Sequence, residues 1–118
     1  MSNVFNNNLG FSCLLAGKYN QAQKHLQRAL ELSGQFQRAR VNLGLALAKQ
    51  GKTEEALTEL KKALPVAQAY YNMGYIHRQA SEWEQAANCY KLALELDPEL
   101  TEAQTSLALC EQGYTSEK

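Results

Sequence analysis

Cys13, Cys89, Cys110, His25 and His77 are the side chains with which this chain could carry out nucleophilic or metal chemistry. Their spacing supports neither. Zinc takes about four ligands in close array, and three scattered thiols without a Cys-x-x-Cys pair, plus two separate imidazoles, do not supply them. A nucleophile needs a base within reach that a third group orients, and the chain has no Gly-rich phosphate loop and no His-Glu-x-x-His segment. The expectation is a non-enzyme without metal or cofactor. Asn8, Asn42 and Asn72 are different, because each stands two residues before a glycine, at Gly10, Gly44 and Gly74. A carboxamide offers a donor and an acceptor, the two functions that a peptide backbone presents. Reversible hydrogen bonding to another chain is the chemistry this spacing fits.

The elements that must position these amides are repeated. Leu9-Gly10, Ala22 and Ala29 recur as Leu43-Gly44, Ala56 and Ala63, and again as Met73-Gly74, Ala86 and Ala93. Gly10 to Gly44 is 34 residues, whereas Gly44 to Gly74 is 30, so four residues are missing between Ala63 and Tyr70. Within each unit apolar residues fall at helical spacing in two blocks around a polar turn, which makes each unit a helix hairpin. Seven helices are expected, near 4–16, 20–32, 37–50, 54–64, 67–80, 84–96 and 101–112, with no sheet. The glycines let the two helices of a hairpin approach closely at Ala22, Ala56 and Ala86. Gly17 and Gly51 can close their helices in the left-handed conformation, and Ser81, at the matching turn, is expected to need another ending. Trp83 and Tyr19 are expected to cover the open end of their hairpins, and Cys13, matching Leu47 and His77, is expected in the core. His77 reads as a core residue with a satisfied ring nitrogen. Pro65 suits a helix start, and Asp97-Pro98 should stop the sixth helix.

Composition excludes several partners. The 118 residues suit one domain, 1–118, and the 45% apolar content is ordinary for a chain with a core. Twelve basic residues against twelve acidic ones leave no net charge, which argues against nucleic acid as partner. No apolar run approaches the roughly 18 residues that cross a bilayer, so direct membrane insertion is not expected. MSNVFNNNLG lacks the regions of a signal peptide, which makes a cytoplasmic location the default expectation.

The 34-residue period with its Leu-Gly pair and two alanines resembles the tetratricopeptide repeat family. The third unit matches best, with Tyr70, Met73, Gly74, Trp83, Ala86, Tyr90, Ala93 and Asp97-Pro98 in the family's pattern; Asn6 and Arg40 depart from it where Tyr70 stands. The resemblance implies an all-α fold, a right-handed superhelix of three helix hairpins over about 3–36, 37–66 and 67–100, followed by a capping helix at 101–112. It also implies that the first helix of each hairpin lines a concave groove. Read onto this chain, that groove holds Asn8, Phe11, Arg38, Val41, Asn42, Leu45, Lys49, Gln68, Tyr71, Asn72, Tyr75 and Arg78. The asparagines form the polar rungs, Phe11, Leu45 and Tyr75 the apolar contacts, and Arg38, Lys49 and Arg78 outnumber the one nearby acid, Glu102. Asn42 is expected to bind a ligand without supporting the core.

The resemblance therefore implies a non-catalytic scaffold whose partner is another protein or an extended peptide segment. Family members that grip the acidic tails of chaperones use Lys and Asn in the first unit, Asn in the second, and Lys and Arg in the third. The matching residues here are Asn7, Phe11, Asn42, Gln68 and Asn72, of which Asn42 alone fits. A weaker resemblance, carried by Asn-Asn-x-Leu-Gly, Arg-Ala-Arg-Val-Asn-Leu-Gly and Ala-Gln-Ala-Tyr-Tyr-Asn-Met-Gly, is to repeats of bacterial tight-adherence pilus assembly lipoproteins, and would imply a periplasmic fragment of a lipid-anchored protein. Self-association through the end helices, by Val4 and Phe5 or by Leu107 and Leu109, is the other class of function to weigh.

Overall fold

A computed structural model describes the backbone of residues 2–116 and the side chains of residues 2–113. Of the expected span 1–118, Met1, Glu117 and Lys118 lie outside the described residues. Those described form seven helices and no strand: α1 (Asn3–Leu15), α2 (Tyr19–Leu32), α3 (Gln37–Lys49), α4 (Thr53–Ala63), α5 (Val66–Gln79), α6 (Trp83–Leu96) and α7 (Thr101–Ser116). The first six begin and end within about one residue of the sequence-based expectation. The missing residues come from the end of α4, which has 11 residues where α2 and α6 have 14, and from the two-residue link to α5, whose N-cap is Pro65. The chain divides at this junction into two compact units, 1–63 and 64–118.

In the first unit α1 pairs with α2 and α3 with α4, and α3 also packs on α1 and α2. Ser2 starts α1, its hydroxyl accepting from the Phe5 backbone N–H at 3.0 Å. Ala22, Leu26, Ala29, Ala39, Ala46, Ala56 and Leu60 are fully buried. Polar links join the helices at the edges. The Arg40 guanidinium donates to the Glu59 carboxylate at 2.8 Å and to the Gly34 carbonyl at 3.0 Å, which accounts for a cation where the third hairpin has Tyr70. Asn6, at the matching place in α1, turns its amide back onto the Ser2 carbonyl at 3.0 Å. The Gln50 amide joins α3 to α2 by donating to Gln23 at 2.8 Å.

In the second unit α5 pairs with α6, and α7 packs on both. Tyr90 is fully buried, with Ala86 and Cys110 beside it and Tyr71, Trp83, Ala87 and Leu107 packed around them. Three expectations change here. Trp83 lies against α7, where a Cβ on Gly113 would come within 3.1 Å of its ring. With no side chain at Gly113, α7 passes over the indole and continues to Ser116 instead of ending near 112. The buried thiol is Cys110, whose S–H donates to the Trp83 carbonyl at 2.9 Å, while Cys13 is half-buried. Burial pushes the Cys89 thiol up to about 11. His77 is half-buried rather than in the core, and its ring is satisfied at the surface, its Nδ1–H donating to the Glu82 carboxylate at 2.9 Å.

Each hairpin closes at its glycine. A Cβ would stand 2.6 Å from Leu26 Cγ at Gly10, 2.8 Å from Leu60 Cγ at Gly44, and 2.7 Å from Tyr90 Cε1 at Gly74, all inside van der Waals contact. The side chain one turn beyond each of Ala22, Ala56 and Ala86 therefore fills the space above the glycine. The hairpin turns are also equivalent. Lys18, Lys52 and Glu82 donate their N–H to the carbonyls of Cys13, Leu47 and His77 at 2.8, 2.9 and 2.9 Å. Gly17 and Gly51 have φ of 77° and 83°, and Ser81 adopts the same left-handed ending at 60°, correcting the expectation of a different one. The shared carbonyl-capping pattern outweighs the cost of a side chain at that φ.

Two outcomes follow for urea titrations. Gly44→Ala should lose about 1 to 3 kcal/mol despite alanine's better helix propensity, whereas Lys52→Ala should stay within about 0.5. Equal losses would mean that Gly44 does not set the helix spacing. Ser81→Gly should gain about 0.5 to 1 kcal/mol by relieving the left-handed residue, and a loss would show that the serine side chain contributes more than its backbone strain costs.

Candidate functional site

The residues expected to line a groove fall on two surfaces, one in each compact unit. In the first unit Asn8 and Phe11 are exposed on α1, and Arg38 and Lys49 are exposed on α3, with Val41 and Leu45 half-buried between them. At about 100° per residue, 38, 41, 42, 45 and 49 share one side of α3. Phe11 keeps 45% of its surface exposed, an unusual amount for a phenylalanine with a folding role.

Asn42 is the exception in this set. It is 8% exposed, and its amide N–H donates to the Asn7 carboxamide oxygen at 3.0 Å across the packing of α1 and α3. The expectation that Asn42 leaves the core unsupported is therefore corrected, because its side chain joins two helices in a buried contact. Asn7 itself is 3% exposed, and nothing in the run Asn6-Asn7-Asn8 distinguishes it by type. Only its place one residue ahead of the Asn8 position, facing the next first helix, could have marked it.

In the second unit Gln68, Tyr71 and Asn72 are half-buried on α5, and Tyr75 is 41% exposed. The Tyr71 ring leans on Tyr90 with centroids 5.8 Å apart and the planes at 43°. Arg78, expected among the groove cations, is only partly open to solvent. It is half-buried, its guanidinium carbon lies 5.4 Å from the centre of the Tyr75 ring, and its Nε has no hydrogen-bond partner among the described residues. The buried Tyr90 hydroxyl is likewise without a well-aligned bond. Burial pushes its phenol pKa up, opposed in part by the Arg78 charge and by Ser106 nearby. The Arg78 charge thus acts on the buried Tyr90 phenol behind this surface.

A cleft of about 400 Å³ lies between α6 and α7, lined by Trp83, Ala87, Asn88, Lys91, Cys110 and Glu111 among others. Its residues come from the second helix of the hairpin and from α7, at positions that carry no periodic signal. Among the described residues no three His, Cys, Asp or Glu side chains cluster as metal ligands would, and no helix is long and apolar enough to cross a membrane.

Family models described as tetratricopeptide repeat match residues 1–68 and 67–100. Both are general repeat models and lend the pilus-lipoprotein resemblance no support. The fold is similar to the first TPR domain of human RPAP3, at 21% identity over 97% of this chain and 93% of that one, with a TM-score of 0.64. The first TPR of Spaghetti (RPAP3), solved bound to the HSP90 peptide SRMEEVD, is 20% identical over 97% of this chain and 94% of that one, with a TM-score of 0.64. YrrB, a TPR protein with an unusual peptide-binding site, is 25% identical with a TM-score of 0.65; the match covers 90% of this chain and 57% of YrrB. No curated protein sequence is significantly similar to the chain.

The Asn7–Asn42 contact generates a stability prediction. Asn42→Ala leaves the buried Asn7 oxygen unpaired and should cost about 1 to 3 kcal/mol, whereas Asn8→Ala, on an exposed amide, should stay within about 0.5. Matched urea titrations of the two variants measure the difference, and equal values would mean that the Asn7–Asn42 pair contributes nothing net.

Proposed function

This chain belongs to the tetratricopeptide repeat family, whose members are non-catalytic protein-interaction modules, and on that premise we propose that it captures an extended segment of a partner protein on the first-helix faces of its hairpins. The observation that carries this reading is the α1 and α3 surface of the first unit. There an exposed amide (Asn8), an exposed aromatic (Phe11) and two exposed cations (Arg38 and Lys49) border the half-buried Val41 and Leu45. Such a surface can bond a peptide main chain, seat an apolar side chain and pair with an acidic group. On the second unit Gln68 and Asn72 supply amides and Tyr75 an exposed aromatic, with the half-buried Arg78 beside it.

The chemistry disfavours the acidic chaperone tail that the Spaghetti domain was solved with. Of the five clamp positions, Asn7 and Phe11 stand where that clamp has Lys and Asn, and Gln68 and Asn72 where it has Lys and Arg. The Asn7 amide is moreover already engaged with Asn42. A segment with an apolar residue next to a single acidic one suits the surface better. Each amide bond contributes about 0.5 to 1.5 kcal/mol net, and ordering the peptide offsets part of that gain, so affinities on the order of micromolar are expected.

Selection of random peptides displayed on phage, followed by calorimetry on the enriched sequences, tests the proposal. Asn8→Ala and Phe11→Ala should each weaken those peptides by about three- to tenfold, and Arg38→Glu should remove the preference for an acidic residue. SRMEEVD should bind at least tenfold more weakly than the selected peptides. Enriched peptides indifferent to these three variants but lost on Lys91→Glu would move the site to the α6–α7 cleft and sink the groove reading.

A further inference from the structure

Helix α1 is inside-out. It buries Asn6 and Asn7 at 5% and 3% exposure, and leaves Val4, Phe5, Phe11 and Leu15 at 52%, 45%, 45% and 75%. At about 100° per residue these four, with the exposed Asn8 and Ser12, fall within an arc of about 120°. Single exposed apolar residues are ordinary, but a contiguous stripe of them marks an interaction surface.

The internal repeat shows that this side of the helix is one normally covered. Phe5 occupies the position held by Ala39, Ala69 and Ala103, all at 0% exposure. Ser12 occupies that of Ala46, Ile76 and Cys110, at 0%, 6% and 0%. On α1 alone the same positions are bare, and a large aromatic replaces the small alanine.

Charge indicates what covers it. Alone among the seven helices, α1 contains no Asp, Glu, Lys or Arg, so it can lie against its own copy without bringing like charges together. A closed pair about a two-fold axis requires such self-complementarity. The other end of the chain does not complement the stripe, because α7 exposes Gln104, Ala108 and Glu111 where α3 has Arg40, Gly44 and Leu47. Docking α7 on the stripe would bury Glu111 against phenylalanine, which disfavours head-to-tail growth.

We propose that two copies of this chain pair through α1, antiparallel about a two-fold axis near Asn8, with Phe5 of one copy against Phe11 of the other. Antiparallel helices align their dipoles favourably, and the two Asn8 amides meet at the axis, where each can donate to the other. The helix has 13 residues, about 20 Å of length, so one helix pair covers less than a standard interface and the dimer is weak. A peptide and a second copy cannot occupy Asn8 and Phe11 together.

Sedimentation velocity over about 5 to 500 μM tests the pairing, with half-association expected on the order of 100 μM. Phe5→Lys and Phe11→Glu should each remain monomeric throughout, with unchanged helical circular dichroism. Mixing the two should restore association, because the introduced lysine of one copy faces the introduced glutamate of the other. Oxidation of Asn8→Cys should give a covalent dimer joined at position 8, a readout that does not depend on either charged variant folding. A wild-type sedimentation coefficient that does not change with concentration, association indifferent to both charged variants, or no recovery on mixing would each overturn the proposal.

Discussion

The close approach of paired helices at Gly10, Gly44 and Gly74 is the constraint on which the rest of the structure depends. Leu26, Leu60 and Tyr90 fill the space a Cβ would take, so each hairpin's crossing is set by a missing atom on one helix and a bulky side chain on the other. Packing at this density leaves no freedom to slide. The rotation of each first helix, and hence which of its residues face outward, is decided at this contact. The candidate surfaces around Phe11, Leu45 and Tyr75 are positioned by it, one residue beyond each glycine.

Polar contacts then select among the arrangements that apolar packing permits. The Asn7–Asn42 bond is buried and joins two first helices, and the Arg40–Glu59 pair, also bonded to Gly34, ties α3 to α4 and to the preceding loop. Neither contact adds much net free energy, since desolvation offsets most of what the bonds return. Their effect lies in the cost of misalignment, because a shifted helix would leave a carboxamide unpaired in the interior. A module whose work is to hold a surface in fixed shape needs that kind of rigidity more than it needs extra stability.

Helices α1 and α7 present different exposed sides. On α7, Glu111 and Gln104 keep the exposed side wet. On α1 the amides turn inward and the phenylalanines outward. Asn6 and Asn7 can be buried only because Ser2 and Asn42 supply their partners. The same inward turn displaces apolar side chains to the surface.

The repeat, the seven helices and the places of the turns were legible in the sequence because they follow from local rules: helical periodicity, glycine at a close approach, proline at a helix start. Family membership was legible for the same reason, since its pattern consists of the residues that those rules demand. What a side chain touches across helices was not. Asn8 and Asn42 occupy equivalent places in the repeat, yet one is exposed and the other buried, because Asn42 meets Asn7 across the packing of α1 and α3. Ser81 followed its glycine counterparts into the left-handed region because three carbonyl caps share one geometry, a backbone condition that residue type does not reveal. Cys110 rather than Cys13 became the buried thiol because Trp83 reaches α7 and offers it a carbonyl. Periodicity is a property of one helix and can be read along the chain, whereas burial is a property of two and exists only once they have met.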